Sequence, residues 1–274
     1  MIPVARNQFN WSFHQPNSPS TTPGVAVTPG SGAEGNWAQL ATSANIANDV
    51  YGIWVNINSG NTTGTQRDLQ IDIGVDPAGG TSYTAVISNI LASQAAAGAA
   101  GGYHYYFPLF VKAGSSVAAR AQSNSTSTVR VSAIFYGLPS DPGAAAVGQY
   151  SETLGASGNA GTSFTPGNSG AEGSWASLGT TAKNCWWWQL CVGIANSATT
   201  SLMYHCDLAA GDASNKHIII ENMRLYLPGT AEQTGSPLMM GSYEVPAGAT
   251  LYVRGTCSGT AATGFSATAI GIGG

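Results

Sequence analysis

The sequence predicts an all-β protein: two tandem β-sandwiches of jelly-roll type preceded by an extended N-terminal arm. Three observations predict it. The chain repeats itself: Thr28-Pro29-Gly30-Ser31-Gly32-Ala33-Glu34-Gly35-Asn36-Trp37-Ala38-Gln39-Leu40 returns as Thr165-Pro166-Gly167-Asn168-Ser169-Gly170-Ala171-Glu172-Gly173-Ser174-Trp175-Ala176-Ser177-Leu178 with one residue inserted. A repeat of domain length means two copies of a whole fold rather than a stack of small units. Apolar residues then recur at every second place over short stretches, the period of a half-buried strand, with no helical periodicity. Finally, Gly, Pro, Asn and Asp punctuate these stretches at strand-length intervals, which is sandwich grammar.

Residues 1–27 read as a docking arm. Pro3, Pro16, Pro19 and Pro23 break regular structure, and Phe9, Trp11 and Phe13 alternate with polar residues to give a short strand one aromatic face. The first sandwich spans 28–138. Ile53, Val55 and Ile57 alternate, as do Leu69, Ile71, Ile73 and Val75, and Val129, Val131, Ala133 and Phe135. Asp76-Pro77-Ala78-Gly79-Gly80 and Ser59-Gly60-Asn61 supply turns. Ala92 to Ala100 has short-helix composition, but Gly98, Gly101 and Gly102 favour a loop. Residues 139–161, rich in Gly, Ala and Ser with Pro139 and Pro142, have linker composition. The second sandwich spans 162–274. Leu190, Val192 and Ile194 answer Ile53, Val55 and Ile57, and Leu251 and Val253 take the inward places of Val117 and Ala119. About eight strands fit each copy, which favours a jelly roll. An immunoglobulin-like sandwich is the alternative, without its Cys…Trp…Cys framework in the first copy.

Charged residues make up 8 % of the chain, against about 25 % in an average soluble domain. The chain is also 43 % hydrophobic, which excludes disorder as the explanation. Such a surface suits a protein covered by neighbours, or an exported protein kept soluble by hydroxyls and amides. Lysines and arginines are scattered singly, so no nucleic-acid footprint is expected. No secretory signal is expected at Met1 to Phe13. Leu91 to Val111 is long enough to cross a bilayer, but its Gly, Gln94, His104 and Pro108 speak against a membrane helix.

Glu34 and Glu172 share one place in the two copies, as do Arg120 and Arg254. A Glu–Arg pair holding the repeated loop against a late strand is the structural expectation. A general-acid role needs a second carboxylate, and none is expected in both copies. Asp68, Gln70, Asp72 and Asp76 share one polar strand face; without an Asp-x-Asp-x-Asp-Gly loop, a solvated or interfacial face is expected rather than a Ca²⁺ site. Cys185, Cys191, Cys206 and Cys257 rank as buried free thiols first, disulfides second and metal ligands last, because no C-x₂-C pair exists. Trp186, Trp187 and Trp188 must alternate faces on a strand, so one leaves its own core for an interface or a ligand platform. Tyr103, Tyr105, Tyr106, Phe107 and Phe110 form a second aromatic group, dense enough, like the three tryptophans, for sugar stacking. No G-x-S-x-G, P-loop, H-E-x-x-H or G-x-G-x-x-G signature is present. No catalytic residue, metal or cofactor is expected.

Phe107-Pro108-Leu109-Phe110-Val111-Lys112-Ala113-Gly114-Ser115-Ser116-Val117-Ala118-Ala119-Arg120-Ala121-Gln122, with its looser counterpart Tyr243 to Cys257, resembles a motif in structural proteins of tailed bacteriophages. The resemblance implies a capsid decoration (cement), collar or tail component, assembled in the host cytoplasm and located in the virion. Its implied partners are itself, as a homo-oligomer with a trimer favoured, and other virion proteins. Two jelly rolls in one chain are also similar to the double jelly-roll major capsid proteins. A glycan-binding module, taking a host-surface glycan on exposed coplanar aromatics, is the rival from another class.

Overall fold

The computed structural model describes residues 11–15, 24–58, 67–94, 102–137, 147–194, 202–227, 240–241, 243–260 and 265–274. In the first copy the strands are β1 (Trp11–Gln15), β2 (Val25–Val27), β3 (Gly30–Ser31), β4 (Ala38–Ala41), β5 (Val50–Asn58), β6 (Arg67–Asp76), β7 (Thr84–Gln94), β8 (Gly102–Phe107), β9 (Ser116–Ser123) and β10 (Val129–Gly137). In the second they are β11 (Tyr150–Leu154), β12 (Ala156–Ser157), β13 (Ala160–Phe164), β14 (Ala176–Thr180), β15 (Trp187–Ile194), β16 (Leu202–Gly211), β17 (Lys216–Leu227), β18 (Met240–Gly241), β19 (Thr250–Cys257) and β20 (Phe265–Gly273).

Four sheets result. Sheet I runs β1-β10-β5-β8 with β2 also on β10, and sheet II runs β3-β9-β6-β7 with β4 on β9. Sheet III runs β12-β13-β20-β15-β18 with β11 on β20, and sheet IV runs β14-β19-β16-β17. The orders 2-10-5-8 over 4-9-6-7 return as 13-20-15-18 over 14-19-16-17. With β1, β3, β11 and β12 set aside, the chain changes sheet at every connection except β6–β7 and β16–β17, which is the jelly-roll path, walked twice. All-β tandem sandwiches are therefore the fold.

Alternation explains the cores. Ile53, Val55 and Ile57 of β5 face Leu69, Ile71 and Ile73 of β6, all buried. Leu190, Val192 and Ile194 of β15 face Tyr204, Cys206 and Leu208 of β16 in the second core.

Two boundaries differ from expectation. In the arm, residues 11–15 and 25–27 are strands added to β10, pairing Trp11 with Gly137 and Val27 with Val129. Phe9 lies outside the described residues, and Trp11 and Phe13 lie on β1. In the expected linker, β11 pairs with β20 from Tyr150↔Gly273 to Leu154↔Ala269, and the β12–β13 hairpin follows. The second sandwich thus begins before residue 162. Composition misled here because β11 faces the joint with hydroxyls, not apolar side chains.

That joint sets the sandwiches in series. The outward side of sheet III lies against β6, β7 and β8 of the first sandwich, so no residue of β20 is exposed to water: both faces are buried throughout the strand. Phe265, Ala267 and Ala269 fill the second core, while Ile270, Ile272 and Cys191 complete the first. Polar groups close the seam. Ser151 and Thr153 hydroxyls donate to the carbonyls of Val86 (2.6 Å) and Ser88 (2.5 Å). Thr268 donates to the Asn89 carbonyl at 3.2 Å, and the Ile194 N–H donates to Ser93 Oγ at 2.7 Å. Gly193 permits the approach: a Cβ there would stand 2.8 Å from Asp68 Oδ1.

Candidate functional site

The repeated residues form a repeated ion cluster. Arg120 donates from Nε to Asp72 Oδ2 at 2.9 Å, its Nη2 also meets Glu34, and its guanidinium lies 4.5 Å from the Trp37 ring centroid. Arg254 repeats the set of partners: its Nε donates to Asp207 Oδ2 at 2.9 Å and lies 3.4 Å from Glu172 Oε2, and its guanidinium lies 4.4 Å from the Trp175 ring centroid. The other oxygen of each aspartate accepts the N–H of an asparagine at positive φ, Asn89 (φ 57°) or Asn222 (φ 53°), at 2.8 Å. Those asparagines are bulges, and the strand register slips beside each aspartate. Gly35 and Gly173 bring each glutamate in, since a Cβ at either would meet a backbone carbonyl at 2.4 Å.

The second carboxylate, not expected from the sequence, is present in both copies as Asp72 and Asp207. Glu34 is pushed above the ordinary carboxylate range by burial first and by Asp72 second. Two carboxyls side by side are the pattern of an acid–base pair. Here, however, one arginine is bonded to both acids. The dent lined by Glu34, Gln70, Asp72, Asn89, Arg120 and Gln122 is filled by its own side chains and leaves no room for a water-sized guest, far short of the ~300–1,000 Å³ of a small-molecule site. The first cluster sits beside the joint and the second away from it, yet the geometry is the same. This cluster belongs to the fold.

The polar row on β6 divides three ways. Asp68 and Gln70 face the second sandwich, Gln70 donating to the Ala160 carbonyl. Asp72 joins the ion cluster, and Asp76 holds its own turn by accepting from the Ala78 and Ser82 amides, both at 2.9 Å. No group of metal-ligating side chains occurs among the described residues. The four cysteines are buried and unpaired. Burial pushes Cys185 up to about 11 and Cys191 to about 12, and raises Cys206 as well. Those three are inert thiols.

What the copies do not share is the outward face of sheet I. It carries Trp54 and Asn56 from β5, His104 and Tyr106 from β8, and Arg130, Ser132, Ile134 and Tyr136 from β10. No carboxylate lies among these. Tyr106 lies on Gly52 and packs against Trp54 (centroids 6.4 Å, planes 49° apart) and Tyr136 (6.0 Å, 76°). It also meets Trp187 of the second sandwich (6.0 Å, 75°), which meets Trp186 (6.5 Å, 72°). Trp188 points the other way, wholly buried in the second core. Trp187 therefore stands at the contact between sandwiches, and Trp186 beside it.

Polar atoms on this face bond to one another. Asn56 Oδ1 accepts from the Trp54 indole at 2.8 Å and from His104 Nδ1 at 2.6 Å, and the Asn56 amide donates to Ser132 at 3.5 Å. Burial raises both the Tyr106 and Tyr136 phenols, so they stay neutral. Trp54, Tyr106 and Tyr136 were not singled out as an interface from the sequence, because only strand register places them together.

No family model and no curated protein matches the chain. Among solved structures, it is similar to the N-terminal CBM22 tandem domain of Paenibacillus barcinonensis Xyn10C (TM-score 0.28, 12 % identity, 89 % of this chain and 83 % of that one). It is similar to PNGase F, a glycosylasparaginase from Flavobacterium meningosepticum (TM-score 0.31, 12 % identity, 96 % of each). A third likeness is to the Macrobrachium rosenbergii nodavirus (TM-score 0.23, 8 % identity, 98 % and 92 %). Likeness at this level lends the chain no role.

Proposed function

We propose that this chain is a bacteriophage virion structural protein that assembles on the particle through subunit contacts and carries out no catalysis. The observation that carries the reading is the outward face of sheet I: half-buried aromatics, self-satisfied amides and no carboxylate, on a chain with 8 % charged residues. A face of that kind gains little from water and much from an apolar neighbour, at roughly 25 cal/mol per Å² of apolar area before the costs of association. The ion clusters support the absence of catalysis, since their arginines hold both acids of each pair. The aromatic planes speak against the glycan reading. They meet at 49–76°, edge to face, whereas a sugar platform needs flat, open rings with unspent hydrogen-bonding groups beside them.

Mass spectrometry of purified virions tests the reading. The chain is expected at a copy number stoichiometric with known structural proteins. Its absence from particles, together with sugar-dependent thermal stabilisation of the free protein, contradicts the assembly role and favours the glycan module.

A further inference from the structure

We propose that the outward face of sheet I is a self-association face, closed by the same face of a second copy of this chain. This rests on the assembly reading above and names its partner. The duplication supplies the argument. Sheet III is the second-copy equivalent of sheet I, and its outward side is already buried against a jelly roll of this very chain, across the joint. The two surfaces are continuous, because Tyr106 of sheet I packs on Trp187 of the joint. A strand face that meets a sandwich of its own kind in one copy is left without a described neighbour in the other.

The same duplication excludes a head-to-tail repeat of the joint. Aligning Asn89 with Asn222 puts Glu221 in the place of Ser88, Arg224 in the place of Leu91, and Tyr226 in the place of Ser93. Two charges would thus stand where the joint has an apolar residue and a hydroxyl. On the other side, Asn56 takes the place of Gly193, where a Cβ alone would stand 2.8 Å from Asp68 Oδ1 and 3.1 Å from Ser266 Oγ, so an asparagine needs those side chains to move aside. Charges on such a strand block edge and face pairing. A chain-to-chain contact through sheet I must then use a surface other than sheet IV. A face lacking carboxylates is compatible with its own copy, as an isologous two-fold contact requires. Two sheets packed face to face, about 10 Å apart, would interdigitate Ile134, Tyr136 and Tyr106 with their counterparts.

Cysteine cross-linking tests this. Ile134→Cys, Tyr136→Cys and His104→Cys are made singly in the full chain and treated with a short bismaleimide; the four native thiols are buried. At least one variant is expected to give a covalent dimer in high yield, the unmodified sequence none. Ile134→Lys, with an unchanged melting temperature, is expected to reduce the native mass to that of one chain. Oligomers that form but cross-link at none of these positions overturn this face and leave the assembly reading standing. The same follows if Ile134→Cys links only to Ile218→Cys in a mixed sample, because that is a head-to-tail contact. A monomer at all concentrations overturns both.

Discussion

Arg254→Ala is expected to destabilise the second sandwich by about 3–5 kcal/mol, the cost of leaving a buried charge without its partner. Asp207 is 4 % exposed, and its two oxygens are satisfied only by Arg254 and by the Asn222 amide among the contacts described. Alanine removes the guanidinium, the stacking on Trp175 and the tether to Glu172 at one stroke. A loss of this size is a large part of the ~5–15 kcal/mol that holds a domain together. Arg254→Lys keeps the charge but not the planar fork, so an intermediate loss is expected. Arg254→Met with Asp207→Asn removes both charges and is expected to cost less than Arg254→Ala alone. Urea unfolding followed by tryptophan fluorescence reads all three. Equal destabilisation by Arg254→Ala and the charge-free double variant would mean that the buried aspartate is not the source of the loss.

The second large effect concerns pH. Asp68 lies in the joint; its Oδ2 meets Ser266 Oγ at 3.3 Å, and its Oδ1 has no hydrogen-bond partner among the described residues. Burial raises its pKa from 3.8 to about 7, the Ser266 contact opposing. A carboxyl that holds its proton more tightly when folded contributes most at low pH. That contribution is lost as pH rises from about 4 through about 7, because the ionised form is then buried without compensation. The full span corresponds to about 4 kcal/mol at roughly 1.4 kcal/mol per unit. Asp68→Asn removes this dependence. Its melting temperature is expected to match the unmodified chain near pH 4 and to exceed it by several degrees at pH 8. A constant difference across that range would show that Asp68 titrates normally in the joint.

Alternation made most of the fold legible. Leu69-Gln70-Ile71-Asp72-Ile73 reads as a half-buried strand because each apolar side chain enters one core and each polar one leaves it. The repeated Thr-Pro-Gly and Ala-Glu-Gly residues placed the loop, its glutamate and a distant arginine in both copies. Where a strand faces a second protein surface, that signal fades. Tyr150 to Leu154 looked like linker because Ser151 and Thr153 spend their hydroxyls on β7 carbonyls. Ser266 and Thr268 likewise face the joint from a strand whose other side is core. Asp72 and Asp207 escaped notice as a pair because the connection before them differs in length: Asp72 follows Ile57 by 15 residues and Asp207 follows Ile194 by 13, which breaks the offset that would have matched them. The aromatic face escaped for a related reason: Trp54, Tyr106 and Tyr136 come from three strands whose neighbours only the order β10-β5-β8 decides.

Sedimentation equilibrium of the full-length chain over a wide concentration range tests the central claim most directly. A mass rising to an integral multiple of the single chain, unaffected by added sugars, is the expected result. The mass of one chain at every concentration would contradict an account in which the charge-poor exterior exists to be covered by companions.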